Sequence, residues 1–275
     1  MNWIWLIFGI LPAAAAIVGL VAWRSHANRV GWPAWVCFQI AQIHRLLFSH
    51  CRQNNRCNIP EHGAAIIIAN HTSPADPVLL WTRHFESFQK PHLRVIGYLT
   101  AREYYDVHPL IRWVCRAMES IPVDRNGRDT QPLRLALRRL EEGRLLGLFP
   151  EGRLNELSPD TQLLPGDTGA AWLALKADVP VIPVFIHRAP RHHSMVRAFF
   201  VHTRASLTYG KPIDLSHWKG RKLTAEQLAD ATDHMLQCLA DLGGIQISPT
   251  PRAVAASPPK PPSVNQSTQQ PPATA

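Results

Sequence analysis

Apolar residues follow two patterns along this chain. Residues 3–23 form one unbroken run without a charged side chain, whereas from residue 64 onward apolar residues come in short blocks set between helical stretches. About 20 apolar residues cross a ~30 Å hydrocarbon layer at ~1.5 Å each, which makes the first run a candidate membrane anchor. Trp3, Trp5 and Trp23 bracket it, where indoles favour the membrane–water boundary, and Pro12 predicts a kink. A cleaved signal peptide is the rival reading, with Ala13–Ala16 as small residues for cleavage, but only Met1 and Asn2 precede the run and no positive n-region exists. A buried soluble helix is the other alternative. Residues 33–52 predict a second helix, with Val36, Ile40, Ile43 and Leu47 on one stripe and Gln39, Gln42, Arg45, Ser49 and Arg52 on the opposite one. Such a helix either lies in the headgroup plane or packs on the following domain.

The later blocks read as an alternation. Residues 64–69, 93–99, 121–123, 145–149 and 179–186 predict strands, and 199–209 one or two more; residues 77–85, 108–118, 132–142, 168–176 and 224–242 predict helices. In 108–118, Leu110, Ile111, Val114 and Met118 share a side. In 132–142, Leu133, Leu137 and Leu140 turn inward and Arg134, Arg138 and Arg139 outward. The expected fold is α/β, a mixed, largely parallel sheet covered by helices, preceded by a membrane-associated helical segment. The expected organisation is an anchor and interfacial helix over 1–59, one domain over 60–247, and a tail over 248–275. That tail holds eight of the 24 prolines, no aromatic residue and only Arg252 and Lys260 as charges, so it predicts disorder.

Composition narrows the partners. Lys and Arg exceed Asp and Glu to give +9, which suits anionic partners. Arg24, Arg29, Arg45, Arg52 and Arg56 fall between residues 24 and 60, where no acid occurs. Positive-inside bias then puts the domain on the cytoplasmic side of an inner membrane. The five cysteines form no C-x-x-C pair, which argues against a disulfide scaffold or a zinc ribbon. Arg residues are dispersed without aromatic interleaving, against a nucleic-acid binder. The fourteen His show no H-E-x-x-H spacing, and no metal is expected; His192-His193 reads as surface in a basic loop.

Candidate chemistry sits where strands end. A strand leads into Asn70-His71, and Asp76-Pro77 follows at a helix start. Two readings stand here: Asp76 as a plain helix cap beside an incidental His, or a carboxylate turned back to fix the imidazole tautomer and leave the other nitrogen free as a base. A Ser73-His71-Asp76 triad is excluded by its cramped spacing and the missing G-x-S-x-G elbow. Asp124-Arg125 and Pro150-Glu151-Gly152-Arg153 end two further strands. Their Arg forks suit a phosphate, and parallel strand ends share one rim.

Four ordered blocks over roughly residues 60–215 resemble the glycerophospholipid acyltransferases of the lysophosphatidate acyltransferase type. They are His71-x4-Asp76, Ile121 to Arg125, Phe149-Pro150-Glu151-Gly152, and Val179-Pro180-Val181-Ile182-Pro183-Val184. The resemblance implies transfer of a fatty acyl group from acyl-CoA or an acyl-carrier-protein thioester to the hydroxyl of a lysophospholipid. Its first choice is lysophosphatidate giving phosphatidate; another headgroup, or a silent lipid-binding protein, is the alternative. It further implies His71 as base and Asp76 as its orienting partner. Arg125 would hold the acceptor phosphate, Glu151 and Gly152 would position the glycerol, and Arg153 would add positive charge. No cofactor is implied. Arg153 occupies the Thr position of the common Glu-Gly-Thr-Arg version, as in relatives that reacylate other lysophospholipids, and Glu119 stands where the second block often opens with Gly.

Overall fold

The computed structural model describes residues 11–27, 30–84, 93–124, 130–156, 160–220 and 223–249. Two helices lead, α1 (Leu11–Ala27) and α2 (Trp32–His44), the second continued by a π-helical turn at Arg45–Ser49. Then come β1 (Arg52–Gln53), β2 (Ala65–Ala69), α3 (Asp76–His84), β3 (Ile96–Ala101), α4 (Arg102–Tyr105), α5 (Pro109–Ala117), β4 (Ile121–Val123), α6 (Gln131–Glu141) and β5 (Leu145–Leu148). The chain closes with β6 (Gln162–Leu163), α7 (Thr168–Ala177), β7 (Val181–His187), α8 (Met195–Ala198), β8 (Ser206–Tyr209), a 3-10 turn (Ser216–Trp218), α9 (Ala225–Gly243) and β9 (Gln246–Ile247).

Seven strands form one sheet in the order β1-β8-β7-β2-β5-β3-β4, and β6 pairs with β9 apart from it. Every pairing is parallel except β7 with β8. β2 is central, and all five of its residues are fully buried. Successive side chains point to opposite faces, so Ile67 packs with Phe38, Leu79 and Trp81, while Ile66 and Ile68 pack with Ala171, Leu173 and Met235. Helices cover both faces, which is why the strand reads as a continuous apolar run without alternation. The expected α/β class with a largely parallel sheet holds.

Several expectations change. Residues 1–10 of the proposed anchor lie outside the described residues. α1 spans 17 residues, about 26 Å at 1.5 Å each. Among the described residues no helix is long and apolar enough to cross a membrane. The second helix ends at His44 and uses both faces: Ala34, Cys37, Phe38 and Ala41 pack on the domain, Gln42 of the polar stripe reaches the Thr82 carbonyl at 2.9 Å, and Ile40, Ile43 and Leu47 of the apolar stripe, with Leu46, face outward. On α5, Leu110 and Val114 also face outward, and the rings of Trp113 and Trp32 of α2 lie 5.9 Å apart. Arg139 of α6, expected to point outward, turns back to donate to the carbonyl of Glu119, whose backbone sits at φ 55°. At the tail, the Ser248 amide donates to the Leu163 carbonyl at 2.8 Å, and residues 250–275 lie outside the described residues.

Candidate active site

β2 stops at Ala69, but its ladder continues through a side chain. The Asn70 carboxamide donates to the Ile186 carbonyl at 3.0 Å and accepts from the Ile186 amide at 2.7 Å. This mimics one more strand pair with β7, so the backbone leaves the sheet at His71 from a fixed point.

His71 then meets Asp76. Nδ1 lies 3.0 Å from Asp76 Oδ2, with the carboxylate fully buried and the imidazole 19% exposed. The same Oδ2 accepts the backbone amides of Thr72 and Ser73 at 2.8 Å each. Asp76 therefore braces the turn upstream of α3 and the ring at once, which the capping reading does not describe. An ionised carboxylate only accepts, so Nδ1 carries the hydrogen and Nε2 is left as the basic nitrogen. Ser73 is fully buried; its hydroxyl donates to the Pro190 carbonyl and accepts from the Ala75 amide. It is a turn residue and is not available as a nucleophile.

A stack of rings sets the plane of the imidazole. His71 lies on Phe149 with centroids 4.0 Å apart at 14°, and Phe149 lies nearly parallel to Tyr98 at 5.8 Å and 11°. Tyr98 fits because Gly147 faces it across β3 and β5: a Cβ there would collide with the Tyr98 ring. The Tyr98 hydroxyl donates to the Pro77 carbonyl at 3.1 Å, and burial, then the charge of Asp76, push its ionisation up. Sequence reasoning missed Tyr98, Gly147 and the bonding of Asn70; no motif flags a ring stack assembled from one strand and the exits of two others.

Glu151 closes the other side. Its Oε1 accepts the His71 amide and its Oε2 the Leu164 amide, both at 2.8 Å, while the Asn155 amide donates to the His71 carbonyl at 2.7 Å. Glu151 is 4% exposed. Burial raises its carboxyl to about 7, with the bonds from Leu164 and His71 acting in the opposite sense. Gly152 follows at φ +67°, a left-handed conformation that suits glycine, and Arg153 is exposed on the same loop.

His71, Asp76 and Glu151 thus come together, with Gly152 and Arg153 beside them. Arg125 lies outside the described residues. β4, which ends two residues earlier in the sequence, is three strand spacings from β2, about 14 Å, and Asp124 pairs with Arg102 at 2.7 Å. Among the described residues no three His, Cys, Asp or Glu side chains gather as a metal site would need. The arrangement equips one oriented imidazole, partly open at the carboxyl rim of a parallel sheet, to take a proton.

A family model described as Acyltransferase matches residues 50–187, just over half of the chain and the whole stretch from β1 through β7. Curated proteins yield no match. Among solved structures, the fold is similar to the crystal structure of the 1-acyl-sn-glycerophosphate (LPA) acyltransferase PlsC from Thermotoga maritima. The two are 22% identical with a TM-score of 0.59, over 83% of this chain and 88% of that one. The matched region carries the His71–Asp76 pair, the ring stack and the Glu151 loop, and it makes this chain a member of the acyltransferase family of enzymes.

Proposed function

We propose that this acyltransferase moves a fatty acyl group from an acyl-CoA or acyl-carrier-protein thioester to the free hydroxyl of a lysophospholipid, with lysophosphatidate giving phosphatidate as its first substrate. The observation that carries the reading is the His71–Asp76 pair at 3.0 Å, with Nε2 left as the base at the end of the central strand. In the proposed step Nε2 takes the proton of the lipid hydroxyl as its oxygen attacks the thioester carbonyl. The tetrahedral adduct expels the thiolate, and the imidazolium returns the proton to that sulfur. Asp76 keeps the tautomer and stabilises the transient cation. Arg125 and Arg153 are the cations proposed for the acceptor phosphate, as arginine forks pair with phosphate oxygens. The similar fold from Thermotoga maritima belongs to a 1-acyl-sn-glycerophosphate acyltransferase, which supports this choice of acceptor.

The acceptor is a bilayer lipid, and we propose docking on the cytoplasmic face of an inner membrane. Support comes from the outward apolar side chains: Trp32, Ile40, Ile43, Leu46 and Leu47 on α2 and its π-turn, Leu110 on α5, and Val196 and Phe200 around α8. Phe48 joins two of these elements, with its ring 5.4 Å from that of Phe200. Arg197 lies in the last element and Arg188 and Arg204 flank it in sequence, while Arg191 is paired with Asp160 at 2.8 Å. An apolar patch rimmed by cations fits an anionic headgroup layer.

The test is the purified protein with each thioester donor and a panel of lysolipids that includes lysophosphatidate. Release of free thiol with formation of the diacyl product is expected, fastest for lysophosphatidate. Capture of lysolipid without thioester consumption would overturn the catalytic reading, and a different preferred headgroup would replace the acceptor.

A further inference from the structure

We propose that Glu151 is a positioning residue: its carboxylate ties the His71 backbone to Leu164, just past β6, and touches neither acceptor nor donor. The inference deepens the acyl-transfer reading and rests on it for its kinetic part. Three observations carry it. Both oxygens are engaged by backbone amides, His71 on Oε1 and Leu164 on Oε2, each at 2.8 Å. The side chain is buried, so little of it is open to a substrate. The two amides belong to segments that no ladder joins, since β2 has ended at Ala69 and β6 at Leu163.

A carboxylate is the one side chain of this length that accepts on both ends. An amide of the same shape turns an N–H towards one of the two backbone N–H groups, and that contact is repulsive. Glu151 therefore sets the height of His71 through its main chain, as Asp76 sets the ring through Nδ1 and Phe149 sets its plane. The Asn155 amide holds the His71 carbonyl, so both main-chain polar groups of the base are pinned to the loop that follows β5. A shift of about 1 Å in a reacting group costs on the order of 10²-fold in rate, which makes such pinning consequential.

The experiment is Glu151→Gln in the full chain, read by steady-state kinetics and by amide hydrogen exchange. Expected are a fall in kcat of about 10- to 10²-fold with the acceptor KM held within about twofold, and exchange at His71 and Leu164 at least about tenfold faster, with β2 unchanged. A raised acceptor KM at unchanged kcat assigns Glu151 to substrate and overturns the proposal, as does unaltered exchange at both amides. Should the variant fail to fold, exchange in the unmodified protein decides: the His71 and Leu164 amides are expected to be as slow as those of β2, and fast exchange at either overturns the brace. A wild type that acylates no lysolipid refutes the acyl-transfer reading alone, because the exchange measurement stands apart from activity.

Discussion

The rim around His71 and the outer face formed by α2, α5 and α8 both break the ordinary rule of polar outside and apolar inside, in opposite directions. At the rim, Asp76 is fully buried and Glu151 nearly so. On the outer face, Trp32, Leu46, Leu110, Val196 and Phe200 are each more than half exposed. The compensation differs. The buried carboxylates accept hydrogen bonds from five donors: the His71 ring, and the amides of Thr72, Ser73, His71 and Leu164. These bonds offset only part of the desolvation: Asp76 Oδ1 is buried without a hydrogen-bond partner among the described residues, and burial still raises the Glu151 carboxyl to about 7. The exposed apolar groups have no such internal compensation, and the bilayer docking proposed above would remove them from water. The rim finds most of its partners within the chain; on the outer face these side chains stay more than half uncovered by the described residues.

Four measurements sharpen or break this contrast. The largest effect is expected at the rim: His71→Ala should lower acyl transfer by about 10²- to 10⁴-fold with the melting temperature nearly unchanged. A folded, fully active variant removes the assigned base. Next is the cost of burying Glu151. Its folded-state carboxyl sits at about 7 against an ordinary value of 4.5, so the folded chain holds that proton more tightly than the unfolded chain. The associated stabilisation is present below pH ~4.5 and lost as pH rises to about 7. Compared with Glu151→Gln, the wild type should lose about 3 kcal/mol over that window in denaturant titrations; a difference that does not vary with pH contradicts the burial cost.

The outer face is tested by Leu47→Asp. Burial of a leucine is worth about 2 kcal/mol, so partitioning onto vesicles containing anionic lipid should fall on the order of 30-fold, with hydrolysis of a soluble thioester unaffected. Unchanged partitioning disconnects this face from the bilayer. The smallest effect is expected at Gly147→Ala, whose Cβ would collide with Tyr98. A loss of about 2 kcal/mol of stability is expected, with kcat reduced because the ring stack that ends at His71 shifts. If kcat is retained in a destabilised variant, the stack supports the fold and does not aim the base.

Much of the framework was legible along the chain. β2, β5 and β7 appear as short apolar runs because both sheet faces are covered, and α6 and α9 appear through their 3.6-residue period. His71, Asp76 and Glu151 were legible through motif spacing. Their partners were not. Tyr98, Gly147, Phe149 and Leu164 come from different segments, and nothing local marks which ring will lie against which. The outward apolar stripe of α2, one of the two orientations the sequence left open, and the outward side chains of α5 have a related cause: a helix with two usable faces shows its period, but the neighbour decides which face it takes. Phe38 and Ala41 of α2 met the Trp81 side of the core, which left Ile40 and Ile43 outside.

What the amino-acid order determined by itself was therefore the local and periodic content: where strands and helices fall, that the sheet is buried, and that an imidazole and a carboxylate stand five residues apart. Tertiary structure alone decided that Glu151 faces backbone amides, that a glycine across the sheet makes room for a ring stack, and that apolar side chains of α2 and α5 point away from the core. Local order follows from short-range sterics and hydrogen bonding, which the sequence encodes at fixed spacing. These other features are contacts between distant segments, and they exist only once close packing has selected one arrangement from many that the same pattern permits.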